Sequence, residues 1–415
     1  MPILTLLPKV GVAPTGVIPT ALVEMDLGNL VGGGVWDQHL WDSTFIWGPV
    51  AATYPEDITP YVRSFSTDRG ASREVERVEA GMAAIGLDNR DGRFTPYLSG
   101  PYSPNILPMR RIRIQAVWEA TPYPVFQGFV ESWPVSFPGD VDEIVQVQLV
   151  DGFKVLSLVQ ISGDFPEQQS GERVDAILDA VGWLTSDRDI DAGTATVPAI
   201  TLENVAPLEH IQQIAYVEGG RFFMARDGKA TFRDSTTEAN VDLTDRTWAD
   251  DGTGMSYRDV TLVFDDTLIL NDIRLTRIGG VEQSASSQDS QDAYGVRSRV
   301  ETDIQLSTDG QVLGFAENLL DRSSEPVLRL EQLVDNAMQH RLWNQVLQRE
   351  LTDVTNVIET RTQTAQVSTI EGISHASSDM SWVITVNLSP TTIIQAGIWD
   401  DAVYGLWDST FIWAR

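Results

Sequence analysis

Cysteine is absent from the 415 residues, which excludes disulfides and every thiolate metal site. Histidine is scarce. His39, His210, His340 and His375 are the only four, and no two share the H-x-x-x-H spacing that sets a metal-binding pair on one helix face. Lysine is scarcer still: Lys9, Lys154 and Lys229 stand alone, and every other cation is arginine. No apolar run reaches the length of a bilayer span, so no membrane insertion is expected. The opening "MPILTLLPKV" has neither the length nor the charge order of a secretory signal, which points to a protein made and assembled in a cytoplasm. Phosphate loop, nucleophile elbow and dinucleotide fingerprint are all missing. The expectation is no enzyme, no cofactor and no required metal.

Positive charge is also in short supply. Asp and Glu number 59 against 29 Lys and Arg, for a net charge of -30. A nucleic-acid binder needs clustered cations, so that class is disfavoured. The acidity fits simple solubility, a salty habitat, or a surface along which DNA must pass without sticking. The 42% hydrophobic and 21% charged content is otherwise that of an ordinary globular protein, long enough for two to four domains. Two acidic stretches, "DNRDGRF" (Asp88 to Phe94) and "DRDIDAG" (Asp187 to Gly193), faintly suggest calcium loops. They lack the alternating ligands and the closing Glu, and read better as turns.

Strand signals dominate. "RRIRIQAVW" alternates, with Ile112, Ile114 and Ala116 on one face, and "EIVQVQLV" sets Val145, Val147 and Leu149 opposite Ile144, Gln146 and Gln148. "GRFFMARDGKATFRD" reads as a hairpin around a two-residue Asp227-Gly228 turn. "NDIRLTRIGG" and "WVITVNLSP" are further strands, and "EQSASSQDSQDAYG" is a polar loop. Helices are few. One starts at a Ser170 cap and carries Val174, Ile177, Leu178 and Val181 on a stripe. A second runs from Pro207 to the Gly219-Gly220 stop with Leu208, Ile211, Ile214 and Ala215 inward. A third surrounds Val312 to Leu320, and a fourth covers Ala337 to Leu351. The class is α+β, mostly β. Boundaries fall at 1–48, 49–165, 166–238, 239–390 and 391–415.

Several short motifs follow one another in a specific order and spacing: "DITPYVRSF", Arg69-Gly70, "EAG" (Glu79 to Gly81), "LDNRDGRFTP", "SPNILP", "FQGFVESW" and "DGFKVLS". Together they resemble the N-terminal part of minor tail proteins of long, non-contractile-tailed phages, particularly those of actinobacteria. Downstream, "PLEHIQQIAYVEGGRFFMARDGKATFRD" and "ENLLDRSSEPVLRLEQL" look like later parts of tail hub proteins. So does the Tyr294-Gly295-x-Arg297 element, and "IEGISH…WVITVNLSP" looks like a closing hairpin. The resemblance spans about residues 50 to 390. It implies a baseplate-hub fold of two β-barrel domains plus smaller α/β parts. It also implies a homotrimer at the virion tail tip, assembled in the host cytoplasm. Implied partners are the distal tail ring, the tape measure and tail-fibre or receptor-binding proteins, with DNA only as passing cargo. A distal tail ring protein, a tail-associated cell-wall hydrolase and a carbohydrate-binding adhesin are the competing readings.

The ends fall outside that resemblance and share a feature of their own. "WDSTFIW" occurs at Trp41 to Trp47 and again at Trp407 to Trp413. In extended form each copy gathers its aromatics on one face: Trp41, Phe45 and Trp47, then Trp407, Phe411 and Trp413. Such a face is either a core strand of its own domain or an interface contact.

Overall fold

The computed structural model describes residues 18–27, 56–72, 77–134, 143–235, 242–336, 342–378 and 381–391. The first strands are β1 (Thr20–Met25), β2 (Glu56–Asp57), β3 (Val62–Gly70), β4 (Glu79–Asp88), β5 (Arg111–Trp118), β6 (Thr121–Ser132) and β7 (Ile144–Val150). The alternating runs take the faces expected of them. Ile112, Ile114 and Ala116 of β5 are fully buried, as are Val145 and Val147 of β7, while Gln146 and Gln148 face solvent. β1 lies within residues 1–48 and is a strand of the main sheet. It pairs with β5 from Thr20↔Val117 to Met25↔Ile112, and it buries Val23 and Met25.

A smaller α/β region follows. It begins with α1 (Phe153–Leu158), β8 (Ile161–Phe165) and β9 (Gln168–Gln169). Then come α2 (Ser170–Val181), β10 (Arg188–Ile190), β11 (Thr196–Val197) and β12 (Ile200–Val205). α3 (Pro207–Glu218), β13 (Arg221–Met224) and β14 (Ala230–Arg233) close it. The α2 cap sits one residue before the expected Ser170. Gln169 and Glu172 form the capping box, and Ser170 Oγ donates instead to Glu218 Oε2 at 2.6 Å. Val174, Ile177 and Leu178 are buried as the stripe predicts, whereas Val181 is half-exposed. The hairpin loop is three residues rather than two. Gly228 N–H reaches Ala225 O and Ala225 N–H reaches Lys229 O, so Arg226 to Gly228 form the turn.

The last third holds β15 (Thr247–Ala249), β16 (Asp259–Val263), β17 (Asp272–Arg277), β18 (Gln283–Ser286) and α4 (Gln288–Tyr294). β19 (Ser298–Ile304), α5 (Asp309–Ser323), β20 (Arg329–Asn336) and α6 (Trp343–Val346) come next. β21 (Val354–Glu359), β22 (Thr364–Ser378) and β23 (Ser381–Pro390) finish it. Two expectations change here. The polar stretch read as a loop forms β18 and α4. Of the helix expected over Ala337 to Leu351, the described part keeps one turn, α6. The apolar spacing of Trp343, Val346, Leu347 and Leu351 mimics a helical stripe, but Thr352 has φ +71 and its N–H bonds Ile370 O, so the backbone has left the helix.

Thirteen strands share one antiparallel-dominated sheet in the order β16-β20-β23-β22-β3-β4-β7-β6-β5-β1-β2, with β15 and β21 branching from β22. The path is open, and no closed barrel forms among the described residues. The joint between the two halves is β22 on β3, running from Gly372↔Gly70 to Ser378↔Ser64. The core crosses the same joint. Trp382 packs edge-on against Phe65 at 5.2 Å and against Trp343 at 6.4 Å, and Trp343 meets Trp118 at 6.2 Å.

Candidate functional site

Three of the ordered motifs converge beside this joint. β3, β4 and β7 are neighbours, which brings Arg69-Gly70, Gly81 and Asp151 together. The buried Asp151 carboxylate accepts the Gly81 N–H at 2.6 Å and the Phe153 N–H at 2.9 Å. Burial pushes its pKa up to about 7, against the pull of those two bonds and the Arg69 guanidinium. Gly70 has φ +97, and a Cβ there would lie 2.1 Å from Glu371 O, so only glycine lets β22 approach β3 this closely. Arg69 Nη1 donates to Glu350 Oε1 at 2.7 Å, while Glu350 Oε2 accepts the Arg226 N–H at 2.8 Å. One carboxylate thus ties β3, the β13–β14 hairpin and the segment before β21. Arg69 and Asp151 stand inside sequence motifs that give no sign of their roles. Asp151 ahead of Gly152-Phe153 carried a helix-start signal; Glu350 carried none.

A polar cleft of about 380 Å³ opens between the hairpin and this last segment, lined by Arg226, Lys229, Arg233, Arg246 and Asp353 among others. Its cations are already partnered. Arg233 pairs with Asp191 at 3.2 Å, Arg246 with Asp353 at 3.3 Å and Lys229 with Asp227 at 3.6 Å. Burial pushes Asp353 up and the nearby Arg246 and Arg349 pull it back. The arrangement is a neutralised brace. It pairs no nucleophile with a base and aims no free acid at a substrate space.

Tyr294, Gly295 and Arg297 stand together at the end of α4, held by Asn271, a fully buried side chain the sequence did not single out. Its Nδ2 donates to Gly295 O at 2.9 Å and its Oδ1 accepts the Arg297 N–H at 2.7 Å. Gly295 sits at φ 75, ψ 165, a region only glycine enters readily. Tyr294 Oη bonds Glu325 Oε2 at 3.2 Å, and the Arg297 guanidinium pairs with Asp266. The element is a clamp between α4, β17 and the loop after β16.

The acidic stretches have arginine counter-ions. Asp88 pairs with Arg63 and Arg90, Asp91 with Arg93, and Asp189 and Asp191 with Arg233. Among the described residues no cluster of three or more carboxylate or imidazole groups is placed to hold a metal ion. His210 and His375 are buried, and His375 Nδ1 accepts the Trp382 indole N–H at 3.2 Å. Among the described residues no helix is long and apolar enough to cross a membrane.

Among the exposed apolar side chains two groups stand out. Tyr97, Leu98, Leu107 and Met109 occupy the loop between β4 and β5. Phe264, Tyr294, Val296, Val327 and Leu328 lie around the end of β16 and the Asn271 clamp. Trp41, Phe45, Trp47, Trp407, Phe411 and Trp413 lie outside the described residues.

No family model matches the chain, and no curated protein matches it. Solved structures do. The 43 kDa tail protein of prophage MuSo2 from Shewanella oneidensis superposes with a TM-score of 0.59 at 10% identity, over 90% of this chain and 98% of that one. A tail protein from Neisseria meningitidis MC58 gives a TM-score of 0.57 at 12% identity, over 90% and 97%. At these identities the likeness is one of fold, and the fold is one found in these two tail proteins.

Proposed function

We propose that the chain is a structural phage tail protein, placed at the tail tip as the hub that joins the tail tube to the distal adhesion apparatus. The observation that carries this reading is the fold likeness to two tail proteins over 90% of the chain. The ordered motifs add to it, because Arg69, Gly70, Gly81 and Asp151 hold the joint of β22 on β3. In this reading three copies form a ring. The two halves of each sheet curl as the two barrel-like lobes of a hub protomer, with β1 of the N-terminal segment part of the first. The distal tail ring, the tape measure and a receptor-binding protein are its neighbours, and surplus carboxylates face the DNA path. A siphovirus of an actinobacterial host is the source this reading favours. Immunogold labelling of intact particles with antibody to this chain tests it. Gold at the distal end of the tail is expected; gold on the capsid, or along the whole tube, contradicts it.

A further inference from the structure

β16 is the last strand of the main sheet, and among the described residues it pairs only with β20. Its outward N–H and C=O groups form an open edge. Past its end the surface turns apolar. Val263 pairs with Arg329, so Phe264 and Leu328 follow directly on the two strands. Phe264 is 66% exposed, and Leu328 and its neighbour Val327 are 41% exposed each. An open edge beside an uncovered aromatic is the surface that accepts an added strand.

The chain supplies a strand of that kind close by. β23 lies next but one to β16, with β20 between them, so the two are about 10 Å apart. Gln332 pairs with Asn387 on one side of β20 and with Thr261 on the other, so β23 ends where β16 ends. The chain therefore leaves at Thr391, whose N–H bonds Val367 O, beside the exposed patch. From there residues 392–406 span up to about 50 Å when extended, far more than the gap. Beyond them comes Trp407–Trp413, the second "WDSTFIW".

We infer that the second heptapeptide adds to β16 as an antiparallel edge strand of its own chain, Trp407 covering Phe264 and Phe411 lying beside Val260. Antiparallel addition needs no crossover, because the tail starts at the C-terminal end of β16. Two features favour the chain's own segment over that of a second copy. The tether holds it at a high effective concentration, and protomers of net charge -30 repel each other. The inference does not depend on the tail assignment.

Hydrogen exchange on the full-length chain tests it. In the wild type the outward-facing amides of β16 exchange slowly at any protein concentration. In Phe411→Ala with Trp413→Ala, and separately in Phe264→Asp, they exchange at least about tenfold faster, while β20 and β23 keep their protection and so report an intact fold. Phe264 is largely exposed, which makes the second variant safe should the first fail to fold. Because the chain has no cysteine, a Thr261→Cys with Thr410→Cys pair joined by a short flexible cross-linker gives a clean second readout, and an intrachain product is expected. Freely exchanging β16 amides in the wild type would overturn the inference. So would protection that fades on dilution together with cross-linked dimers, which would assign the edge to a second copy.

Discussion

Asp151 shows what a single buried carboxyl does at the joint. Its folded pKa of about 7 lies above the ordinary value of 3.8. Between those two values the native state keeps a proton that the unfolded chain has released, so this group's contribution to stability is lost as pH rises from about 4 to about 7. The histidines act in the opposite sense. Burial lowers His210 to about 4, assisted by Arg173, and His375 to about 3, assisted by Arg69 and Arg226. Unfolded histidines take up protons below about 6.5, and stability falls with them. The wild type is therefore expected to unfold at lower urea at pH 5 than at pH 7. In Asp151→Asn, which lacks the offsetting proton, the drop is steeper, by about 1.4 kcal/mol for each pH unit over which that proton is held only in the folded state. Gly295→Ala gives a second residue-scale prediction. Nothing stands within 4 Å of an added Cβ, so its cost is backbone strain alone, about 1–3 kcal/mol by chemical denaturation.

The elements pair over distances that no local pattern records. Alternation was enough to find β5, β7 and β23 and to pick the buried face of β5, because a half-buried strand repeats every two residues. Apolar stripes and a Gly stop likewise revealed α3 and α5. The joint of β22 on β3 was not legible: its partners are some three hundred residues apart, and register there is set by packing and by one glycine. α4 was hidden for another reason. Among its residues only Ser290 is buried, so it has no apolar stripe to read. The site followed the same division. The motifs contain Arg69, Gly70, Gly81 and Asp151, but their partners Glu350 and Glu371, and the Asn271 that holds Gly295 and Arg297, emerge only from the fold. Gly70→Ala tests the joint. Its Cβ would meet Glu371 O at 2.1 Å and Gly372 Cα at 2.8 Å, both backbone atoms of β22. The expected loss exceeds the usual range of about 0.5–3 kcal/mol for a point substitution, seen as a large fall in urea midpoint or in soluble yield. A loss no greater than that of Gly295→Ala would mean that β22 is not held against β3 as described.

For the whole molecule, charge and assembly come together. At net charge -30 the folded chain repels itself, so its Tm is expected to rise as salt is added from low ionic strength. A Tm that falls with salt would show that ion pairs such as Arg69–Glu350 outweigh the repulsion. In the hub reading proposed above, the same repulsion keeps isolated protomers apart and ring formation is left to contacts supplied in the particle. Symmetry-free reconstruction of the tail tip tests the hub reading most directly. The account predicts three copies of this chain in one ring around the DNA path at the distal end of the tail tube; six copies in that ring, or density for this chain elsewhere in the virion, would contradict it.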